Sequence, residues 1–194
     1  MKASIAATLA IALAGTSAQP HIKRQANPNV GNAIVNWQSD TSQVSSFLDS
    51  VQGYINSGDN AGFMAAASNA GLFENNEVGW KQILDAELCQ TGDVNFDPGC
   101  LNAIAGANAI LITDGTFGSV VNLLGDMANV GLAVAPADLF GINCGSATIG
   151  GRCFNVLPAI TTYFTYAAYE LCTYYGDCSH NGATAIYPQG CSVC

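Results

Sequence analysis

The chain has 194 residues, with fourteen acids against five basic residues and a net charge of −9. That balance repels nucleic acid and anionic headgroups, which excludes a DNA- or RNA-binding role. Nearly half of the residues are apolar and only 10% are charged, which excludes a disordered tail.

The first residues read as an export signal. Met1-Lys2 is a short positive region, Ala3 to Gly15 is apolar and uncharged, and Thr16-Ser17-Ala18 supplies small residues at a cleavage site. The apolar stretch falls short of the roughly 20 residues that span a bilayer, so a signal peptide over 1–18, cut after Ala18, is expected rather than a membrane anchor. Lys23-Arg24 before Gln25 is similar to the dibasic processing sites of the fungal secretory route and marks 19–24 as a short propeptide. The mature domain is then 25–194, where Lys81 and Arg152 are the only cations against all fourteen acids, a net charge of about −12. Its length suits one domain with a sizeable core. No later stretch reaches membrane-spanning length uninterrupted, and Cys194 follows no hydrophobic tail, so no transmembrane or glycolipid anchor is expected.

Gln25 to Gly31 reads as an extended lead-in, and Asn32 to Trp37 as a short helix. Asp40-Thr41-Ser42-Gln43 has the form of a capping box. Behind it Val44, Phe47, Leu48, Val51 and Ile55 keep helical spacing. Ser45, Ser46, Asp49, Ser50 and Gln52 take the other side, and Asn56-Ser57-Gly58 ends the pattern. Asn60 to Ala70 and Glu77 to Gln90 give two more helices, the second stopped by Thr91-Gly92. Leu101 to Thr113 and Phe117 to Val130, joined by Asp114-Gly115, are apolar around most of their circumference. They read as a buried central hairpin or, alternatively, as a lipid-contacting hairpin that opens at an interface. Ala135 to Gly151 is Gly-rich and reads as a loop. The last helix has Pro158 in its first turn, Ile160, Phe164, Ala167, Leu171 and Tyr174 on its apolar face, and Gly176 at its end. Helical patterns without alternating strands predict an all-α, single-domain bundle of about six helices with a stapled C-terminal half.

All eight cysteines, Cys89, Cys100, Cys144, Cys153, Cys172, Cys178, Cys191 and Cys194, lie from residue 89 onward. An even number in an exported chain predicts disulfides. Spacing suggests local loops closed by Cys89–Cys100 and Cys144–Cys153, but 105 pairings are possible and the spacing alone does not choose among them.

No strong catalytic motif is present. Beyond the propeptide the one histidine is His180, in a turn between cysteines, and no Gly-x-Ser-x-Gly elbow accompanies it. Cys191-Ser192-Val193-Cys194 has the Cys-x-x-Cys spacing of zinc or redox sites without a second ligand pair, which favours disulfides. Asp93-Val94-Asn95-Phe96-Asp97 begins like a calcium loop, but Pro98 and Ile104 stand where that loop needs Gly and Glu. No spacing singles out a glycosidase-type carboxylate pair. No cofactor or metal is therefore expected. Tyr166 and Tyr169 project from the last helix away from its apolar face. The C-terminal tail covers them, or they form a contact patch for a glycan, a wall polymer or a protein.

Asn32 to Trp37 followed by Asp40 to Asp49, and Arg152-Cys153-Phe154-Asn155-Val156-Leu157-Pro158, resemble stretches of a group of uncharacterised fungal small secreted cysteine-rich proteins. The resemblance covers about a sixth of the chain and implies no catalytic residues. The expectation is a non-enzymatic extracellular protein acting by surface contact, as an effector, an elicitor or a cell-wall component. Its partner would be an extracellular protein or wall polymer. The alternatives are a carrier of a lipid or small apolar ligand, and an unrecognised secreted hydrolase.

Overall fold

The computed structural model describes residues 28–90, 97–146 and 149–194. The proposed signal peptide and propeptide, with Ala18, Lys23 and Arg24, lie outside these residues. So do Asp93 to Phe96 of the calcium-like stretch. The described residues form an all-helical bundle, with a lone Gly145–Gly150 bridge as their only β pairing.

The N-terminal half is one long antiparallel hairpin. Helix α1 spans Pro28–Ser57 and α2 spans Asn60–Glu87. Each was expected as two shorter helices. They are continuous because both carry an unbroken heptad seam. Val30, Ile34, Trp37, Thr41, Val44, Leu48 and Val51 are buried along α1; Phe63, Ala67, Ala70, Glu74, Glu77, Lys81 and Leu84 are buried along α2. Spacings of three and four residues keep a seam facing its partner over many turns. Asp40 is therefore no N-cap: it is buried inside α1 and accepts a hydrogen bond of 2.7 Å from Trp80 Nε1. Gly58, at φ 69°, turns the chain, and the Asp59 side chain caps α2 by accepting from the Gly62 amide at 2.9 Å.

The expected central hairpin is corrected. Helix α3 (Pro98–Asn108) continues through a π turn, Ala109–Thr113, and helix α4 (Thr116–Val130) follows Gly115. These helices diverge: α3 lies against α6 (Leu157–Glu170), while α4 packs on α2 and α5 (Ala135–Cys144). Only Cys100 and Ala107 of α3 are buried, because α3 meets the bundle along one narrow side. By length and composition Pro98–Ala133 is apolar enough to cross a membrane, but left-handed Gly115 (φ 72°) breaks its axis.

The expected loop at Ala135 to Gly151 is also corrected, since its first ten residues form α5, opened by Pro136 in the first turn. Its glycines serve close approach. A side chain on Gly145 or Gly151 would run into the backbone of the other segment, so the end of α5 and the chain entering Arg152 touch main chain to main chain. A second π turn, Arg152–Val156, then leads into α6, which closes with a third, Leu171–Tyr175, and Gly176 at φ 76°.

Four disulfides bind the second half: Cys89–Cys100, Cys144–Cys194, Cys153–Cys191 and Cys172–Cys178. Cys89–Cys100 is the local closure expected. Cys144–Cys153 does not form, because each of these cysteines turns to the C-terminal tail instead. Cys191 and Cys194 are joined to different partners and constitute neither a zinc nor a dithiol site.

Candidate functional site

Ions concentrate at one place, and it is sealed. Arg152 is 0% exposed. Its π turn points the guanidinium between α1 and α2. Nε donates to Glu74 Oε2 at 3.3 Å, Nη1 to Ser45 Oγ at 2.9 Å, and Nη2 to the Thr41 carbonyl at 3.4 Å. Glu77 Oε1 lies 3.6 Å from Nη2, and Glu77 Oε2 accepts from Trp37 Nε1 at 2.9 Å. Glu74 and Glu77 are themselves fully buried, so two carboxyl groups share one guanidinium.

The nearest ammonium is committed elsewhere. Lys81 pairs with Asp85 one turn along α2, and Asp85 Oδ1 also accepts from the Tyr163 hydroxyl at 2.6 Å. Burial, and then the neighbouring carboxylate, raise Glu77 well above the ordinary glutamate value. Burial raises Glu74 as well, against the opposing pull of Arg152. Asp40 is raised by burial, with the Trp80 hydrogen bond opposing. One oxygen of each glutamate, Oε1, has no hydrogen-bond partner. A proton held within the pair would remove the excess negative charge that the single guanidinium leaves.

This carboxyl pair is the one that sequence spacing did not single out. The signal was present: Glu74, Glu77 and Lys81 occupy successive seam positions of α2, where apolar residues are the rule. Chemically, the pair has no route to a substrate. The C-terminal tail lies over it, tied to one stripe of α1. Gln38 Nε2 donates to the Thr184 carbonyl, the Thr41 hydroxyl accepts from the Ile186 amide, Ser45 Oγ donates to the Ile186 carbonyl at 2.6 Å, and Asp49 accepts from the Gln189 amide at 2.7 Å. Ser45, expected on the solvated face of its helix, is thus buried between Arg152 and the tail. Next to Glu77 a small cavity of about 10 Å³, bordered by Trp37, Lys81 and Leu111, has room for a single water.

A second stripe of α1 faces open space. Gln43, Ser46, Ser50 and Tyr54 line one wall of a groove of about 290 Å³ between α1 and α2. Ala66, Asn69, Ala70 and Phe73 form the other, and no ionisable acid or cation borders it. The alanines of α2 keep the groove open, and Phe47 and Phe63 stack beneath at 5.8 Å.

The remaining sequence candidates do not converge. His180 lies against Gly31 at the start of α1, with Nε2 3.9 Å from Asp177 Oδ2, and the neighbouring Ser179 hydroxyl donates to Asp177 Oδ1 rather than to the imidazole. Asp97, the described end of the calcium-like stretch, caps α3 by accepting from the Gly99 amide. Among the described residues no group of His, Cys, Asp and Glu is arranged to hold a metal ion. Tyr169 is 54% exposed, whereas Tyr166 is half-buried and packs against the core, so the two tyrosines differ in exposure and do not make one exposed pair. The tail runs along α1 and reaches α6 where the Ala185 amide donates to Thr161 Oγ1. The chain matches no protein-family model, no curated protein and no solved structure.

Proposed function

We propose that this chain is a secreted extracellular protein that acts by surface contact rather than by catalysis, as an effector, an elicitor or a cell-wall component. The observation that carries the reading is the fate of its ions. Arg152, Glu74 and Glu77, a fully buried cluster of charged side chains, are spent inside the bundle joining α1, α2 and the tail. With Lys81 only 6% exposed, the described exterior carries acids and neutral polar groups but neither lysine nor arginine. Four disulfides fit an oxidising compartment and hold that exterior rigid. A rigid surface with no internal site suits recognition.

The test is capture from extracellular fluid and wall fractions with the oxidised protein, alongside a broad esterase and glycosidase screen. Specific, saturable capture without turnover is the expected result. Turnover that disappears in Glu74→Gln or Glu77→Gln would replace the reading with a hydrolase.

A carrier of a lipid or small apolar ligand is the second reading. It is favoured by α3, which exposes Leu101 and, in the following turn, Ile112, in a segment whose most apolar window is only 28% buried. Native mass spectrometry of the secreted protein tests it directly, since a carrier retains ligand of defined mass.

A further inference from the structure

We propose that the groove between α1 and α2 is a binding site for a short, uncharged oligosaccharide. This deepens the contact reading by naming a ligand class for one surface. The groove belongs to two long helices locked by the heptad seam, so it is preformed and rigid. Its rim carries unspent hydrogen-bonding capacity: the amides of Gln43 and Asn69, the Ser46 hydroxyl and the Tyr54 hydroxyl make no side-chain hydrogen bond among the described residues. Ser50 is different, because its hydroxyl donates to the Phe47 carbonyl. The rings of Tyr54 and Phe73 add apolar surface beside these polar groups.

A sugar ring presents that same combination, hydroxyls around its edge and C–H groups on its faces. Charge selects among sugars. The groove holds no cation to pair with a uronate or phosphate, and the surrounding surface is anionic, so an acidic glycan is repelled. A wholly apolar ligand would leave the amides and hydroxyls of the rim desolvated and unpaired. A neutral oligosaccharide satisfies both conditions.

The experiment is a titration of the isotopically labelled, oxidised full chain, followed by amide chemical shifts. The probes are neutral hexasaccharides of β-1,3-linked glucose, of N-acetylglucosamine and of mannose, with hexagalacturonate and a lysophospholipid as charged and apolar comparisons. At least one neutral sugar should give saturable shifts confined to Gln43–Tyr54 and Ala66–Phe73. Ser46→Glu and Asn69→Glu, at exposed positions outside the core, should weaken it about tenfold or more while circular dichroism stays unchanged. Three results overturn the proposal: no saturable shift from any neutral sugar, equal shifts from hexagalacturonate, or occupation of the groove by the lipid alone. If sugars fail while the Ser46→Glu protein still captures an extracellular partner, the sugar site is lost and the contact reading survives.

Discussion

The two halves of this molecule are held by different physics. From Pro28 to Glu87 there is no cysteine, and order comes from a long heptad seam with an ionic centre. Beyond it the helices are shorter, glycines are frequent and four disulfides fix the chain. The ion pairs that join the halves among the described residues both run through Arg152, which belongs to the stapled half and spends its charge in the seam of the other. Its neighbour Cys153 anchors the tail through Cys191, and that tail hydrogen-bonds back along α1. A crosslink in one half thus holds the lid over a charged centre in the other, and each half is sensitive to what stabilises its neighbour.

The sharpest way to break this arrangement is to remove the shared residue. Arg152→Ala leaves Glu74 and Glu77 buried without a cation and removes the donor to Ser45 Oγ, at an expected cost of about 3–5 kcal/mol in denaturant unfolding. A triple replacement by Met at 152 and Leu at 74 and 77 is expected to restore most of that stability, since a packed apolar core substitutes well for a buried ionic one. If Arg152→Ala alone were harmless, the ionic centre would add nothing to the packing and tail contacts that also join the halves. The next largest effect comes from the crosslink beside it. Cys153→Ser with Cys191→Ser should cost about 2–4 kcal/mol. It should also speed amide exchange at Ile186 and Gln189, whose amides donate to α1 side chains. Unchanged exchange there would mean that the side-chain stripe alone holds the tail.

What the sequence made legible follows the same division. The all-α class, the last helix with Pro158 and Gly176, and the local Cys89–Cys100 closure were readable because each rests on near-neighbour spacing. The lengths of α1 and α2 were not, because Asp40 looks like a cap when its local neighbours are read alone. Only its partner forty residues on, Trp80, explains a carboxylate inside a helix. The tail's course was illegible for a related reason. Its backbone is satisfied by side chains of α1, and of these Ser45 and Asp49 read only as the polar side of a helix and Thr41 as part of a cap until the tail lies on them. Of the site, Glu74 and Glu77 could have been found by following the α2 seam through polar positions. The groove could not, since Gln43, Ser46, Ser50 and Asn69 differ in no local way from the other polar residues of a charge-poor chain.

The smallest expected effect comes from pH, which acts on the two buried glutamates of the seam and leaves the disulfides intact. Glu74 and Glu77 both titrate above the ordinary glutamate value of 4.5, chiefly because burial penalises their charged forms. The folded chain therefore holds protons that the unfolded chain releases. The stabilisation from those protons is complete below that ordinary value and is lost as pH rises through the folded values. Thermal melting should be highest in mildly acidic buffer and fall by several degrees toward neutral and alkaline pH. Glu77→Gln keeps a neutral group and an oxygen for Trp37 Nε1, so it should flatten that fall while leaving the acidic plateau in place. Low pH brings little opposing repulsion. Once the carboxylates are neutral, residues 25–194 carry only Lys81, Arg152 and His180 as cationic side chains. Melting that instead improves steadily with rising pH would show that both glutamates stay ionised in the fold, and that Arg152 alone balances them.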